Sequence, residues 1–267
     1  MNLNGFTRPL VSLGAALAGV GWYAWRIEPR WLRVTHPVVA LPDLPPAFDG
    51  YRIAHISDVH LSVRANLEHL PVVIERVNQE RPDVIAITGD FATGRRDNLL
   101  GGAPALSELS APDGVWAVLG NHDREAIRAL HSVPENIDET WWPITLWTRR
   151  VLAADHKAVI SSWKPAKNPV PDLPRFTLFH SHLHYYDHYL QDENDVTTNL
   201  ERMRSDFGLF GHTHLQGYFE EEIGQVTRYF TCTDNKRTRG KTDWKLITLD
   251  EWHSLPGPGM RALFNPG

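Results

Sequence analysis

Hydrophobic residues along the middle of the chain fall into short runs separated by segments with helical periodicity. Residues 51–57, 84–88 and 115–119 are mostly apolar and contain β-branched side chains, a pattern that predicts buried strands. Between the first two runs, apolar residues recur at helical spacing over residues 66–80, which predicts an amphipathic helix. Strands that alternate with helices predict an α/β fold with a largely parallel sheet and helices on its faces.

The second half of the chain continues this alternation. A further helical stretch is predicted at residues 124–130, and two short apolar strands are predicted at residues 176–179 and 207–210. Polar and apolar residues alternate near the C-terminus, which predicts a closing pair of strands. These two strands lie within residues 225–233 and 244–249.

Composition and charge limit the classes of function. The chain has 267 residues, of which 42% are hydrophobic and 22% charged, as is typical of an ordered globular protein with a substantial core. The formal net charge is −5 and no long run of Lys and Arg stands out, so we expect no nucleic-acid partner. Because Cys232 is the single cysteine, a framework of intrachain disulfides is excluded.

The N-terminus carries an uncharged segment. Residues 9–25 lie between Arg8 and Arg26, with a cluster of Trp, Tyr and Arg at the C-terminal end. A spanning helix needs about 20 residues, and aromatic and basic residues mark a membrane boundary. We therefore expect residues 1–33 to be a hydrophobic membrane segment, a single N-terminal anchor of a membrane-associated protein. More basic residues follow the segment than precede it, which favours a location of the following domain on the cytoplasmic face.

Two other interpretations of this segment stay open. Ala16 and Ala18 before Gly19 fit the small-residue pattern of a cleaved signal peptide, and the segment could also be a helix buried against the soluble domain. The residues that follow are rich in proline, which is typical of an extended connector. We therefore predict a Pro-rich linker over residues 34–50 and a catalytic domain over residues 51–267.

Four short groups of metal-ligating residue types follow predicted strands. Asp58 and His60 are two residues apart, so both side chains point to the same side. Asp90 follows Gly89, where glycine lets the backbone turn tightly and approach a charged centre. The other two groups are Gly120-Asn121-His122-Asp123 and Gly211-His212-Thr213-His214. Because the strand ends of an α/β sheet collect ligand sites, these oxygen and nitrogen ligands predict a metal centre.

This ordered set of motifs resembles the calcineurin-like metallophosphoesterase superfamily: Asp-x-His, Gly-Asp, Gly-Asn-His-Asp, an isolated His and Gly-His-x-His. The resemblance covers roughly residues 51–216, and its specificity comes from the order of the motifs. Residues 27–30 and 49–53 are most similar to a membrane-associated bacterial branch, which includes small phosphodiesterases and enzymes that split UDP-2,3-diacylglucosamine. The resemblance implies a four-layer α/β fold with a central β-sandwich flanked by helices.

The resemblance also implies roles for individual residues. One divalent ion would be bound by Asp58, His60 and His214. A second would be bound by Asn121, His212 and a histidine of the fourth motif. Asp90 would bridge the two ions. His122 would donate a proton or contact the transition state, and Asp123 would orient the His122 ring.

The histidine of the fourth motif has two candidates. His180 directly follows the predicted strand at residues 176–179, which favours it as the ligand, and His182 is the alternative. The family usually has a proline two residues after this histidine, and no proline follows here. The chain also has Leu215-Gln216-Gly217 where the family often has Gly-Gly-Gln. Both departures from the family pattern affect the prediction of the substrate more than the prediction of the reaction type.

The predicted chemistry is hydrolysis of a phosphoester, phosphodiester or diphosphate bond by a hydroxide that two metal ions activate. Asp, Asn and His ligands suit Mn, Fe, Zn or Ni, and the lack of cysteine ligands disfavours a purely structural zinc site. We expect a phosphate-containing small molecule or a lipid-linked substrate. Two other functions stay open: a non-catalytic binding scaffold on the same fold, and a nuclease of the superfamily, which the acidic charge disfavours.

Overall fold

The computed structural model describes most of the chain and divides it into two units. One unit spans Met1–Val34 and the other spans Thr35–Gly267. The described residues are 4–40, 45–61, 64–91, 102, 104–127, 162, 164, 166–185, 187–190, 193–214, 217–222, 225–231, 245–246, 252–254 and 261–266.

The first unit contains the helix α1 (Asn4–Arg26) and a short 3-10 helix (Glu28–Arg30). Within the described part of the chain, no helix combines the length and the apolar character needed to cross a membrane. The expectation that residues 9–25 form a membrane anchor, with a membrane-associated location on the cytoplasmic face, is therefore wrong. Glycine and alanine recur along α1, and because their side chains carry little apolar surface, a lack of charge did not make the segment strongly hydrophobic.

The second unit contains the remaining described elements. Its helices are α2 (Arg64–Gln79), α3 (Asn121–Ile127) and α4 (Glu193–Arg202), with a 3-10 helix at Pro46–Phe48. Its strands are β1 (Val38–Ala40), β2 (Ile53–Ile56), β3 (Val84–Ile87), β4 (Val115–Ala117), β5 (Ala166–Lys167), β6 (Phe176–Phe179), β7 (Phe207–Leu209), β8 (Gly217–Glu222), β9 (Gln225–Thr231), β10 (Lys245–Leu246), β11 (Trp252–Ser254) and β12 (Arg261–Asn265).

The strands β2, β3 and β4 form a three-stranded parallel sheet in that order. Successive side chains of a strand point to opposite faces, so β3 is buried on both sides. On one face Ile85 and Ile87 pack against Leu70 and Ile74 of α2. This contact places α2 as an outer layer on the three-stranded sheet.

The second sheet has seven strands in the order β10-β9-β8-β12-β7-β6-β5. In its middle, β12, β7 and β6 run parallel, while β8 pairs antiparallel with β12. Phe179 and Leu263 from this sheet pack against Val196 and Leu200 of α4. The helix α4 is therefore the outer layer on this side.

The two sheets pack against each other through their inner faces. Val84 and Ala86 of β3, with Val118 after β4, form one core cluster with Leu178 of β6 and Leu209 of β7. With α2 and α4 outside, the layers are helix, sheet, sheet and helix. The predicted α/β fold with a central β-sandwich flanked by helices is confirmed.

Short elements also occur where a linker was predicted. The strand β1 lies within residues 34–50 and pairs in parallel with β11, so that Val38 lies opposite Trp252. The division into residues 1–33, 34–50 and 51–267 stays a prediction. The helix predicted at residues 124–130 begins earlier, at Asn121. Residues 232–233, 244 and 247–249 of the predicted closing strands lie outside the described residues.

Candidate metal centre

Parallel strands bring the motif residues together at one end of the sandwich. Asp58 follows β2, Asp90 follows β3 and Asn121 follows β4. His180 comes directly after β6, and His212 comes shortly after β7. Because these strands run parallel within each sheet, their carboxyl ends share an edge, where ligand sites collect in α/β folds.

Backbone hydrogen bonds tie the motif loops to one another. The Asp58 amide donates to the Gly89 carbonyl at 3.1 Å, and the His60 amide donates to the Asp90 carbonyl at 2.9 Å. On the other sheet, the Gly211 amide donates to the His180 carbonyl at 2.8 Å. The His212 amide also donates to Asp58 Oδ2 at 2.9 Å, so hydrogen bonds link the motif loops of the two sheets.

Asp58, His60 and His214 form the first cluster of ligand-type atoms. His214 Nε2 lies 3.4 Å from Asp58 Oδ1 and 3.4 Å from His60 Nε2. The two imidazole rings are stacked, with centroids 5.2 Å apart and planes that differ by 13°. The three groups therefore converge on one point from different motifs.

Asp90, His180 and His212 form the second cluster, and all three are buried. His180 Nε2 lies 3.2 Å from Asp90 Oδ2 and 3.1 Å from Asn121 Oδ1. The rings of His180 and His212 meet edge to face with centroids 4.9 Å apart. Asn121 therefore adds a neutral amide oxygen to this cluster.

Asp90 lies between the two clusters. Its Oδ2 atom is 3.2 Å from His180 Nε2 in the second cluster and 3.9 Å from His60 Nε2 in the first. A carboxylate in this position can bind two cations and reduce their mutual repulsion; the bridging role of Asp90 stays a prediction.

The chemistry of the free ligand atoms fits a pair of divalent metal ions. Asp58 Oδ2 accepts hydrogen bonds from Ser57 Oγ at 2.6 Å and from the His212 amide at 2.9 Å. In contrast, Asp58 Oδ1 and His212 Nε2 are buried and have no hydrogen-bond partner. Since buried polar atoms are rarely left unsatisfied, these two atoms are positioned for a ligand. Oxygen and imidazole donors without thiolates are typical of hydrolytic metal sites.

A second contact fixes the orientation of His180. Its Nδ1 atom donates a hydrogen bond to the Thr88 carbonyl over 2.6 Å. This bond favours the neutral tautomer whose lone pair is on Nε2, the nitrogen that faces Asp90. The residues that follow β3 thus supply both the Asp90 carboxylate and the Thr88 carbonyl that orients His180.

Electrostatic interactions set the protonation of the buried groups. Burial alone would raise the pKa of Asp90, but the hydrogen bond from His180 and the charges of nearby histidines lower this pKa to about 2. Burial would lower the pKa of His180, but the hydrogen bond and charge of Asp90 raise it to about 9. Burial, together with the charge of His180, lowers the pKa of His212 to about 4. Asp90 is therefore ionised and His212 neutral at pH 7, the forms that bind cations. His180 is protonated in the metal-free protein, so it must release its Nε2 proton when a metal ion binds there.

The backbone at the ligands is strained. Among the described residues, six non-glycine residues have a positive φ, and five of them are predicted ligands. These five are Asp58 (φ 51°), His60 (44°), Asp90 (54°), His212 (69°) and His214 (52°). Positive φ is uncommon outside glycine, and strained conformations cluster at functional sites. The concentration of this strain at the ligands supports a functional role for the cluster.

His122 and Asp123 lie beside the clusters. The His122 amide donates to Asp90 Oδ1 at 3.1 Å, and His122 Nε2 lies 4.0 Å from Asp90 Oδ2. Asp123 is buried, and its Oδ2 atom accepts hydrogen bonds from the Gly120 amide at 2.9 Å and the Phe91 amide at 3.3 Å. Asp123 thus joins the second and third motif loops, and its predicted effect on the His122 ring stays a prediction.

The structure places His180, rather than His182, in a ligand cluster. His182 Nδ1 accepts hydrogen bonds from the backbone amides of His184 at 3.0 Å and Tyr185 at 3.2 Å. A ring that accepts at Nδ1 has its proton on Nε2, so neither nitrogen has a free lone pair for a metal. Leu215 and Gln216, which depart from the family pattern, lie outside the described residues.

Several supporting residues were not predicted from the sequence. Ser57 and the Thr88 carbonyl hold Asp58 and His180, and both lie next to predicted motifs. Asn265 ends β12, and its Nδ2 atom donates to the Gly211 carbonyl at 2.9 Å and to Thr213 Oγ1 at 2.8 Å. Proximity to a motif could have indicated Ser57, but no local signal marks Asn265.

Comparisons with known proteins agree with this geometry. The model of the calcineurin-like phosphoesterase family matches residues 51–216. The uncharacterized metallophosphoesterase YkuE of Bacillus subtilis is 36% identical over 118 residues, which cover 42% of this chain and 41% of YkuE. The UDP-2,3-diacylglucosamine pyrophosphatase LpxG of Chlamydia muridarum is 33% identical over 165 residues, or 59% of this chain and 49% of LpxG. This chain therefore spans less than half the length of both curated relatives.

A solved structure supports the fold independently. The crystal structure of a metallophosphoesterase from Sphaerobacter thermophilus superposes with a TM-score of 0.50 at 20% sequence identity, covering 81% of this chain and 76% of that chain. The family match covers more than half of the chain and includes every predicted ligand and His122. The chain belongs to the calcineurin-like phosphoesterase family.

Proposed function

We propose that the protein is a dinuclear metal hydrolase that cleaves a phosphoester, phosphodiester or diphosphate bond. One observation carries the proposal: two clusters of ligand atoms lie side by side, with Asp90 Oδ2 of the second cluster 3.9 Å from His60 Nε2 of the first. Two neighbouring cations held in this way are typical of enzymes that hydrolyse phosphate esters. The ligands on the first side are Asp58, His60 and His214, and those on the second are Asn121, His180 and His212.

The chemistry that two divalent ions supply when bound in such a cage is activation of water and stabilisation of charge on phosphoryl oxygens. The chain itself contributes fixed geometry, because its loops are hydrogen-bonded to one another and three of its ligands, Asp90, His180 and His212, are buried. Preorganised groups stabilise a transition state without having to reorient during the reaction. Mixed Asp, Asn and His ligands favour Mn, Fe, Zn or Ni as the bound ions.

His122 is proposed as the residue that contacts the phosphate group. It is only partly buried, with 24% of its side chain exposed, and its Nε2 lies 4.0 Å from Asp90 Oδ2 at the junction of the clusters. An imidazole at this position can donate a hydrogen bond or a proton to a phosphoryl or leaving-group oxygen. Asp123 is proposed to keep the His122 ring oriented.

The proposed substrate is a phosphate-containing small molecule or a lipid-linked diphosphate. The similarity to LpxG supports a lipid-linked diphosphate such as UDP-2,3-diacylglucosamine. Because the similarity covers only part of both chains, simple phosphodiesters and phosphomonoesters belong in the same test. The experiment is a hydrolysis assay with each class in the presence of manganese, and a pure, metal-loaded protein that hydrolyses none of them would contradict the proposal.

Two variants separate metal binding from turnover. Asp90→Ala removes the carboxylate shared by both clusters, so we expect loss of bound metal and of activity together. His122→Ala should retain both metal ions and lose about 10²–10⁴-fold in kcat, the usual contribution of a general acid or base. Metal content by elemental analysis and kcat by hydrolysis of bis-p-nitrophenyl phosphate measure the two effects.

The matched control is His184→Ala, which changes an exposed histidine that contacts Tyr185. Metal content and kcat should both stay at the wild-type level. Full activity of His122→Ala would refute the role of His122, and full metal content of Asp90→Ala would refute the bridging carboxylate.

A further inference from the structure

The aromatic ring of Tyr189 lies on the imidazole ring of His212. The two centroids are 4.0 Å apart and the ring planes differ by 20°, so the rings are in stacking contact. Tyr189 is 46% exposed, whereas His212 is 6% exposed. The tyrosine therefore covers the solvent side of a buried ligand of the second cluster.

A second contact from the same segment reaches the same imidazole. The backbone carbonyl of Asp187 accepts a hydrogen bond from the His212 ring. Since His212 Nε2 has no hydrogen-bond partner, the donor is Nδ1. This bond favours the tautomer whose lone pair is on Nε2 and opposes rotation of the ring about its Cβ–Cγ bond. The parallel ring of Tyr189, in contact with the imidazole face, opposes the same rotation from outside.

We propose that Tyr189 is a positioning residue, which holds the His212 ring in the orientation that binds the second metal ion. The proposal rests on the metal centre proposed above. Groups that orient a ligand without touching the metal typically change metal affinity by about 10–100-fold when removed. Tyr189 acts through its ring face, so the phenol hydroxyl should matter little.

The test compares two substitutions of Tyr189 by calorimetric titration of the metal-free protein with Mn²⁺. Tyr189→Phe keeps the ring and should bind both ions with affinities within a few-fold of wild type. Tyr189→Leu removes the ring, and we expect one of the two ions to bind about 10–100-fold more weakly. The kcat of Tyr189→Leu should fall at low manganese and recover when the manganese concentration is raised about 100-fold, with little change in KM.

Tyr185→Leu is the matched control. Tyr185 is an exposed tyrosine of the same segment, and its ring contacts are with His182, His184 and His188. Loss of this ring should leave the affinity for both manganese ions unchanged. Equal weakening in Tyr185→Leu and Tyr189→Leu would overturn the proposal, because the effect would then belong to the segment as a whole.

Other outcomes also decide the question. If Tyr189→Leu binds both ions as wild type does but has a raised KM, the tyrosine contacts substrate and the proposal is wrong. If Tyr189→Leu does not fold, Tyr189→Gln makes the same test with a polar side chain suited to an exposed position. A wild-type protein that binds no manganese would overturn the proposed metal centre itself, and the failure would be seen before any variant is compared.

Discussion

Single residues at the metal centre combine a strained backbone with close packing. A positive φ at a non-glycine residue costs of the order of 1–3 kcal/mol, and Asp58, His60, Asp90, His212 and His214 all have one. The surrounding hydrogen bonds must stabilise these conformations. Gly120 adds a tight contact, since a Cβ atom there would lie 2.5 Å from the Asp90 backbone nitrogen and 2.6 Å from its carboxyl carbon. The approach of the third motif to Asp90 therefore requires glycine.

This contact predicts the effect of Gly120→Ala. The added methyl group would meet both the carboxylate and the backbone nitrogen of Asp90, so Asp90 would have to move away from one or both clusters. We expect metal affinity to fall by about 10-fold or more, measured by titration of the metal-free protein with Mn²⁺. Gly21→Ala is the control, because a Cβ atom at Gly21 has no neighbour within 4 Å. Wild-type affinity in Gly120→Ala would contradict the close approach.

Sequence reasoning worked best for residues whose partners are close along the chain. Asp58 and His60 share a motif, so residue type and spacing alone predicted that they lie in one cluster. His212 and His214 also share a motif, but their ligand atoms belong to different clusters. Tyr189 could not be found in the same way. Its contact with His212 depends on how the loop after β6 packs against the loop after β7. No local sequence pattern predicts that packing.

The strands position the metal centre through the residues at and just after their carboxyl ends. The parallel pairing of β12 with β7 brings Asn265 next to the last motif, where it donates to the Gly211 carbonyl and to Thr213 Oγ1. The strand β12 therefore both closes the core and holds the loop that carries His212 and His214.

This arrangement predicts that Asn265→Ala weakens both folding and metal binding. Loss of hydrogen bonds to a buried carbonyl and hydroxyl costs about 1–3 kcal/mol of unfolding free energy, measured by chemical denaturation of the metal-free protein. The freed loop should also bind manganese more weakly.

Asn78→Ala provides a matched comparison at the opposite ends of the strands. Asn78 Nδ2 donates to the Glu108 carbonyl at 2.8 Å, and its Oδ1 accepts from the Ser110 amide at 3.2 Å. We expect a loss of stability here without a change in metal affinity. If Asn265→Ala were destabilised while binding manganese as tightly as wild type, the support of the metal loop by β12 would be disproved.

The boundaries of elements were less predictable than their existence. The helix α3 begins at Asn121 because the third motif forms its first turn, whereas hydrophobic spacing placed the start at residue 124. Polar ligand residues do not contribute to the periodic spacing of hydrophobic residues from which a helix is predicted. A helix that begins within a polar motif is therefore predicted to start too late, at its first turn with apolar residues. The order of strands in the seven-stranded sheet could not be predicted either. The last strand, β12, lies between β7 and β8, and these neighbours are distant from it in sequence.

At the scale of the whole molecule, the described ligands and core clusters all lie in the unit from Thr35 to Gly267. The four-layer fold was predicted through the family resemblance that the ordered motifs carry, whereas the strand and helix pattern by itself predicted only an α/β fold with a largely parallel sheet. The N-terminal segment was misjudged, since the absence of charge was given more weight than the abundance of glycine and alanine in α1.

This division predicts that a chain beginning at Thr35 folds and keeps its metal centre. We expect its manganese stoichiometry and its kcat on bis-p-nitrophenyl phosphate to match those of the full chain, because residues 1–34 supply no described ligand. Metal analysis and kinetics on the two proteins make the comparison. A shortened protein that folds but binds no manganese would mean that the first unit is needed to form the centre.

The most direct measurement is anomalous X-ray scattering from crystals grown with manganese. The account predicts two peaks about 3.5–4 Å apart, with the Asp90 carboxylate between them. One peak should lie against Asp58, His60 and His214, and the other against Asn121, His180 and His212. A single peak, or peaks remote from Asp90, would contradict the dinuclear centre from which every functional conclusion follows.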